Sequence, residues 1–281
     1  MNNERRRKEL ADFLRTRRSR LSPHEAGLPV DTSRRRTPGL RREEVASLSG
    51  ISLPWYTALE QGRDIQVSEQ VLGSLARTLR LRDDERDHLL VLANHSILPS
   101  TMGDETISPA VQQILDRMGT YPAYIIDKRW NVVAWNRMTS KVCGGLNQGA
   151  EIEKNVLWRI FMMQDKGARI VNWEHVAATQ LAYFRSKYVL HMNDSRLTEF
   201  VCLLHDKSEE FKRQWERHDV SGISEGNQVV HHPEAGLLTF RYNTFAFPER
   251  GDFGMRVFTP VENTGTEEKL EQLSRETGAS Q

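Results

Sequence analysis

Arg41-Arg42-Glu43-Glu44-Val45-Ala46-Ser47-Leu48-Ser49-Gly50-Ile51-Ser52-Leu53-Pro54-Trp55-Tyr56-Thr57-Ala58-Leu59-Glu60-Gln61-Gly62 is the stretch on which the fold of this chain turns. Gly50 stands where a helix must end in a left-handed turn, a conformation glycine adopts at little cost. Ser52 is an N-cap, Pro54 is tolerated in a first helical turn, and Gly62 stops the second helix. Ala46 is small enough to let two helices approach. Val45, Ile51, Tyr56 and Leu59 supply the apolar set between them. The spacing predicts a helix over 41–49, a glycine turn and a second helix over 52–61.

With Tyr56 and Leu59 turned inward, Pro54, Thr57, Ala58 and Gln61 face outward, and Leu53 and Trp55 lie at the leading edge. A helix lying in the DNA major groove offers its N-terminal residues to base edges. Thr57 and Gln61 carry hydrogen-bonding groups for bases, whereas Leu53, Pro54 and Trp55 suit thymine methyls. Arg41 and Arg42 oppose the helix dipole, which disfavours cations at an N-terminus. Phosphates at that position would explain both arginines. Arg36 and Arg63, on the two flanks, complete the candidate DNA-binding set. A helix, glycine turn and helix also occur in ordinary α bundles, so the motif gains force from its basic surroundings.

The net charge of +1 conceals a strong asymmetry. Residues 1–42 hold 13 Lys or Arg against 5 Asp or Glu, whereas residues 43–281 are net acidic. A basic block of this kind points to a polyanionic partner. At 281 residues the chain is long enough for two domains, and 38% hydrophobic with 27% charged residues excludes a disordered chain. No apolar run reaches the ~18 residues that span a bilayer, and no apolar segment follows the charged N-terminus as in a signal peptide. Cys143 and Cys202 have no CxxC spacing, so a disulfide framework or zinc ribbon is not expected. A cytoplasmic location, without membrane contact, is the expectation.

The coarse organisation is multidomain, an all-α five-helix domain followed by an α+β domain. Helices are expected over 9–20, 41–49, 52–61, from the Ser68 cap, and over 82–93, within a first domain of residues 1–95. A Ser/Pro/Thr/Gly-rich linker follows over 96–107, then a second domain over 108–260 and a polar, loose tail over 261–281. The second domain opens on a helix capped by Ser108 with Pro109 at its first position. Tyr121 to Trp135 then changes to a strand period, read as a hairpin. Helical stretches follow over 155–162, 173–186, 197–204 and 208–218. Strands over 228–232, 237–244 and 255–258 close the domain.

Aromatic residues concentrate in this second domain. Most serve as core, yet with Met162 and Met163 they could also line a cavity. The candidate ligand-binding set is Trp135, Asn136, Trp158, Phe161, Met162, Trp173, Phe184, Arg185, Trp215 and His218. Asn136, Arg185 and His218 could equally be satisfied structural groups. The chain lacks GxxxxGK[ST], GxGxxG and HExxH motifs, and the adjacent His231 and His232 face opposite sides of a strand. Catalysis, a bound metal and a required cofactor are therefore not expected.

The segments 36–46, 50–52 and 55–63 closely resemble the MmyB-like branch of the Xre/Cro-type helix-turn-helix transcription regulators. The likeness extends through 127–136 (Asp-Lys-Arg-Trp-Asn-Val-Val-Ala-Trp-Asn), 208–211, 215–220 and the His-Pro-Glu-Ala-Gly turn at 232–236. It implies a PAS-like second domain that holds a small apolar ligand. The glutamines that open the helices of better-known phage repressors are replaced here by Arg42 and Leu53, so base preference does not carry over. The expected function is a one-component regulator that binds a pseudo-palindromic operator in double-stranded DNA as a homodimer, with a small-molecule effector modulating its affinity. The rival is a small-molecule-binding adaptor or antitoxin whose N-terminal bundle contacts protein.

Overall fold

Local signals set the first five helices. α1 (Asn2–Arg20), α2 (Arg42–Ser49), α3 (Leu53–Glu60), α4 (Glu69–Thr78) and α5 (Asp83–Leu92) form an all-α domain. Ser52 and Ser68 cap α3 and α4, each hydroxyl accepting the amide three residues on at 3.4 Å. At α2 and α5 the amides of Arg41 and Arg82 donate to the Glu44 and Glu85 carboxylates at 2.6 and 3.0 Å. α1 starts well before the expected residue 9, because long-range partners hold its first turns. Arg6 donates to the Leu92 carbonyl at 2.5 Å, and Arg7 pairs with Asp64 at 2.7 Å. Phe13, Leu14, Leu40, Val45, Tyr56, Leu75, Leu89 and Leu92 fill the core. A β-carbon at Gly39 would lie 2.2 Å from the Ser19 carbonyl oxygen, so only glycine lets the chain return across the end of α1.

The computed structural model describes residues 2–28, 39–93, 107–144, 146, 150–163, 166–192, 194–222, 225–247 and 253–275. Most of the expected linker and Arg36 lie outside them. Among the described residues, no helix is long and apolar enough to cross a membrane.

The remaining elements follow in chain order as α6 (Pro109–Asp116), β1 (Ala123–Ile126), β2 (Val132–Trp135), α7 (Arg137–Cys143), α8 (Val156–Met162), α9 (Lys166–Arg169), α10 (Trp173–Tyr188), α11 (Ser195–Lys207), α12 (Glu209–Trp215), β3 (Glu225–His232), β4 (Gly236–Ala246), β5 (Gly254–Pro260) and α13 (Thr266–Arg275). The strands make one antiparallel sheet of order β2-β1-β5-β4-β3, the α+β arrangement expected. Asp127 closes the β1–β2 hairpin, its carboxylate accepting the Arg129 and Asn131 amides at 2.9 and 2.8 Å. The register slips between Ile125 and Ile126, so Val132 pairs with Ile126 and Ala134 with Ile125. That slip leaves Val133 over and turns Val132 to the same face as Tyr124. On the opposite face Ala123, Ile125, Ala134 and Val257 pack with Leu115 of α6.

Two expectations are corrected. α7 was not foreseen; its N-cap is Asn136, which accepts the Thr139 amide at 3.0 Å. The segment after 260 is not a loose tail, because α13 packs on β4 and buries Leu270 and Leu273. Its polar composition hid a two-leucine stripe. By packing, the described chain also gathers into two compact units that are not continuous in sequence. The first holds the described part of Met1–Leu98 together with Phe184–Thr198 and Gln214–Gly222; the second holds the rest of the described chain.

Candidate DNA-reading surface and ligand cavity

α2, its turn and α3 adopt the expected geometry. Gly50 has φ of 69° and ψ of 32°, and the Ile51 amide donates back to the Ala46 carbonyl at 3.0 Å. Val45, Tyr56 and Leu59 are buried and Ile51 is half-buried, which fixes the faces of α3. Leu53 is 42% exposed, Pro54 and Gln61 are exposed, and Trp55 and Thr57 are half-buried. Arg41 and Arg63 are exposed as well, with Arg41 Nη1 3.5 Å from Glu43 Oε1. The described candidates from Leu53 to Arg63 thus share one short stretch of accessible helix and turn.

Arg42 has a second partner that the sequence did not disclose. Its Nε lies 2.7 Å from Glu60 Oε2, although its side chain stays 43% exposed. Glu60 is fully buried and also receives Arg18 Nε at 2.5 Å and the Tyr56 hydroxyl at 2.8 Å. Burial alone would raise the Glu60 carboxyl, but the hydrogen bonds from Arg18, Arg42 and Tyr56 hold it below its ordinary value. Burial beside that carboxylate pushes the Tyr56 phenol well up. Glu60 therefore ties α1, α2 and α3 together behind the exposed face.

Within the second unit a cavity of about 100 Å³ lies between the sheet and the helices. Tyr124, Val132, Val230 and Phe258 line it from the strands, and Val142, Ile160, Met163 and Val176 line it from the helical side. Three arginines, Arg159, Arg169 and Arg256, are among its lining residues, and no Asp or Glu is among the described ones. Arg256 is 2% exposed; it donates to Thr244 Oγ1 at 2.9 Å and Tyr124 Oη at 3.2 Å, and stands over the Tyr242 ring. Arg159 Nη2 is satisfied by the Cys143 and Gly144 carbonyls at 2.8 and 2.9 Å. Among the described residues, no group of three His, Cys, Asp or Glu side chains converges.

The ten candidate ligand residues do not line this cavity. Trp135 donates to Ser140 Oγ at 2.9 Å, and Asn136 braces the hairpin through Ala123 N and Tyr121 O at 3.2 and 2.8 Å. Phe161 packs edge-on against Phe211 and Trp173, whose indole donates to the Ile160 carbonyl at 2.6 Å. Trp158 and Met162 sit half-buried on α8. Phe184, Arg185, Trp215 and His218 belong to the first unit. There Arg185 donates to the Glu9 carboxylate and the Trp215 carbonyl and stacks 3.8 Å over the Trp215 ring. His218 Nδ1 is 3.4 Å from Glu9. Burial would raise the Glu9 carboxyl, but Arg185 and His218 outweigh it and hold it at about 2.

Gly222 to Gly226 has the GxSxG spacing of a nucleophile elbow. Its Ile223 and Ser224 lie outside the described residues, and Gly226 is already within strand β3. A nucleophile elbow requires a strand that turns sharply into a helix, whereas this segment leads into a strand.

Two family models match the chain. Residues 9–89 match that of a helix-turn-helix domain. Residues 107–273 match that of the MmyB-like transcription regulator ligand binding domain, a span that takes in most of α13. No curated protein matches.

Proposed function

Since the chain belongs to the MmyB-like transcription regulators, we propose that it reads an operator through the exposed face of α3 and alters its hold on that operator when a small molecule enters the cavity of the second unit. The observation that carries the DNA reading is the split of α3 into a buried side, Tyr56, Leu59 and Glu60, and an accessible side, Leu53, Pro54, Thr57 and Gln61. Leu53, Pro54 and Trp55 meet thymine methyls, Thr57 and Gln61 meet base edges, and Arg41 and Arg63 meet phosphates on either side. Arg42 has a double role, since its Nε is committed to Glu60 while the rest of the guanidinium stays accessible. One such element reads only a few base pairs, so the active form is a homodimer on half-sites about one helical turn apart.

The cavity supports an effector with a small apolar body and an acceptor or anionic group directed at an arginine. Its volume, about 100 Å³, is of the order of the ~150 Å³ core cavity that admits benzene. Selection of duplexes from a random pool by the full chain tests the DNA reading, and enrichment of a pseudo-palindrome is the expected result. Affinity for the selected duplex should fall with salt at about −0.9 in log–log slope per phosphate neutralised. Arg41→Ala should weaken all sequences alike, whereas Thr57→Ala should change the base preferred. A chain that enriches nothing and shows no salt dependence would instead fit a protein-contacting adaptor.

A further inference from the structure

This inference rests on the reading of the second unit as an effector-binding domain. The division between the two compact units falls inside one helix, α10, between Tyr183 and Phe184. Its N-terminal part belongs to the unit that holds the cavity, where Val176 and Gln180 form part of the wall. Gln180 is 1% exposed, and its Oε1 has no hydrogen-bond partner. A buried amide oxygen in that state gains from any donor that a ligand brings. The C-terminal part of α10 belongs to the first unit. There Arg185, also 1% exposed, is locked to Glu9 of α1 and to the Trp215 carbonyl. One turn on, the Tyr188 ring faces the Arg5 guanidinium at 6.0 Å.

Gln180 and Arg185 are separated by roughly 7.5 Å of helix axis, at 1.5 Å per residue. Unbroken helix moves as one body over so short a length. Arg185 is buried and the Glu9 side chain is only 16% exposed, so separating them strands a buried guanidinium and is more costly than moving α1 along with α10. From α1 the path continues to the DNA-reading helix: Arg15 donates to the Glu60 carbonyl at 3.1 Å, and Arg18 grips the Glu60 carboxylate. We infer that α10 couples the two activities, with Gln180 and Val176 registering the occupant of the cavity and the Arg185–Glu9 pair passing the shift of α10 through α1 to α3. Arg185 and Glu9 are positioning residues in this scheme, touching neither effector nor DNA.

The test uses the full chain, the duplex it selects from a random pool, and, as a cavity probe of one aromatic ring to match about 100 Å³, the small anionic dye 4-nitrocatechol, which carries a hydroxyl donor for Gln180 and a phenolate for an arginine. Dye at saturation should change the Kd for the duplex about fivefold or more, and the duplex should change the dye Kd by the same factor, since coupling is reciprocal. In Glu9→Gln and Arg185→Lys both factors should fall below about twofold, the dye Kd without DNA staying at its wild-type value. Val176→Trp, which fills the cavity, should abolish dye binding. Dye binding that survives this substitution overturns the cavity reading itself and the coupling with it. Dye that binds in the cavity without altering the duplex Kd, or coupling that persists in both pair variants, overturns the coupling alone. Should the pair variants fail to fold, hydrogen exchange on the wild-type chain decides: dye must change protection of the α1 amides around Glu9, and unchanged protection refutes the route.

Discussion

His88 shows how a single buried group can govern the response of the first unit to acid. It is 4% exposed, neither ring nitrogen has a hydrogen-bond partner, and its ring meets Phe13 edge-on at 5.2 Å. Burial drives its pKa down from 6.5 to about 3; Arg185, Arg17 and His218 push the same way and Glu9 opposes them. Between those values the unfolded chain binds a proton that the folded chain refuses, so stability declines as pH falls through that window. Glu9, at about 2 in the folded state against 4.5, adds loss of the same sign at lower pH. The melting temperature should therefore drop between about pH 7 and pH 5, where histidine ordinarily titrates. His88→Phe should flatten that stretch in scanning calorimetry. An unaltered slope would assign the loss to other groups. None of this was readable beforehand, since a histidine near Asp84 and Asp87 looks like part of a solvated face.

α3 marks the border between what sequence shows and what it hides. Its start at Ser52, its stop before Gly62 and its inner residues Tyr56 and Leu59 follow from capping and a 3.6-residue period, all within a few positions of one another. Glu60 was invisible, because its partners Arg18 and Arg42 stand 42 and 18 residues away. For the same reason Arg42 looked like a residue for phosphate alone. Glu60→Ala would leave two guanidiniums and a buried phenol without their acceptor, a loss of about 3–5 kcal/mol, measurable as a lower urea midpoint. The exposed face of α3 survives only if its support does, so operator affinity should fall with it. A variant as stable as the parent would deny Glu60 its part in holding the helices. The cavity evaded sequence reading for a related reason. Phe161 and Trp173 pack on one another instead, and apart from Met163 the wall comes mainly from aliphatic residues, arginines and the rings of Tyr124 and Phe258 on many separate elements, with no local pattern to reveal them.

At the scale of the whole molecule, the linear order of motifs and the packing of the chain give two different partitions. Composition located two domains, but packing transfers 184–198 and 214–222 to the unit that contains the helix-turn-helix. At the C-terminal side the polar composition reads as a tail, and packing overturns that reading. Thr266 Oγ1 accepts the Thr239 amide at 2.9 Å, Lys141 donates to the Leu273 carbonyl, and Leu270 and Leu273 are buried. α13 is thus an integral layer on the sheet. Each fully buried leucine contributes about 1.5–3 kcal/mol, so a chain ending at residue 261 should lose about 3–6 kcal/mol from the second unit. The truncated chain should unfold at a distinctly lower urea concentration and release the dye from its cavity, while the exposed face of α3 in the first unit keeps its hold on the selected duplex. Identical unfolding of the two chains would return the segment to the status of an appendage. Loss of duplex binding along with the dye would instead show that the DNA-reading unit depends on the sheet for its own fold.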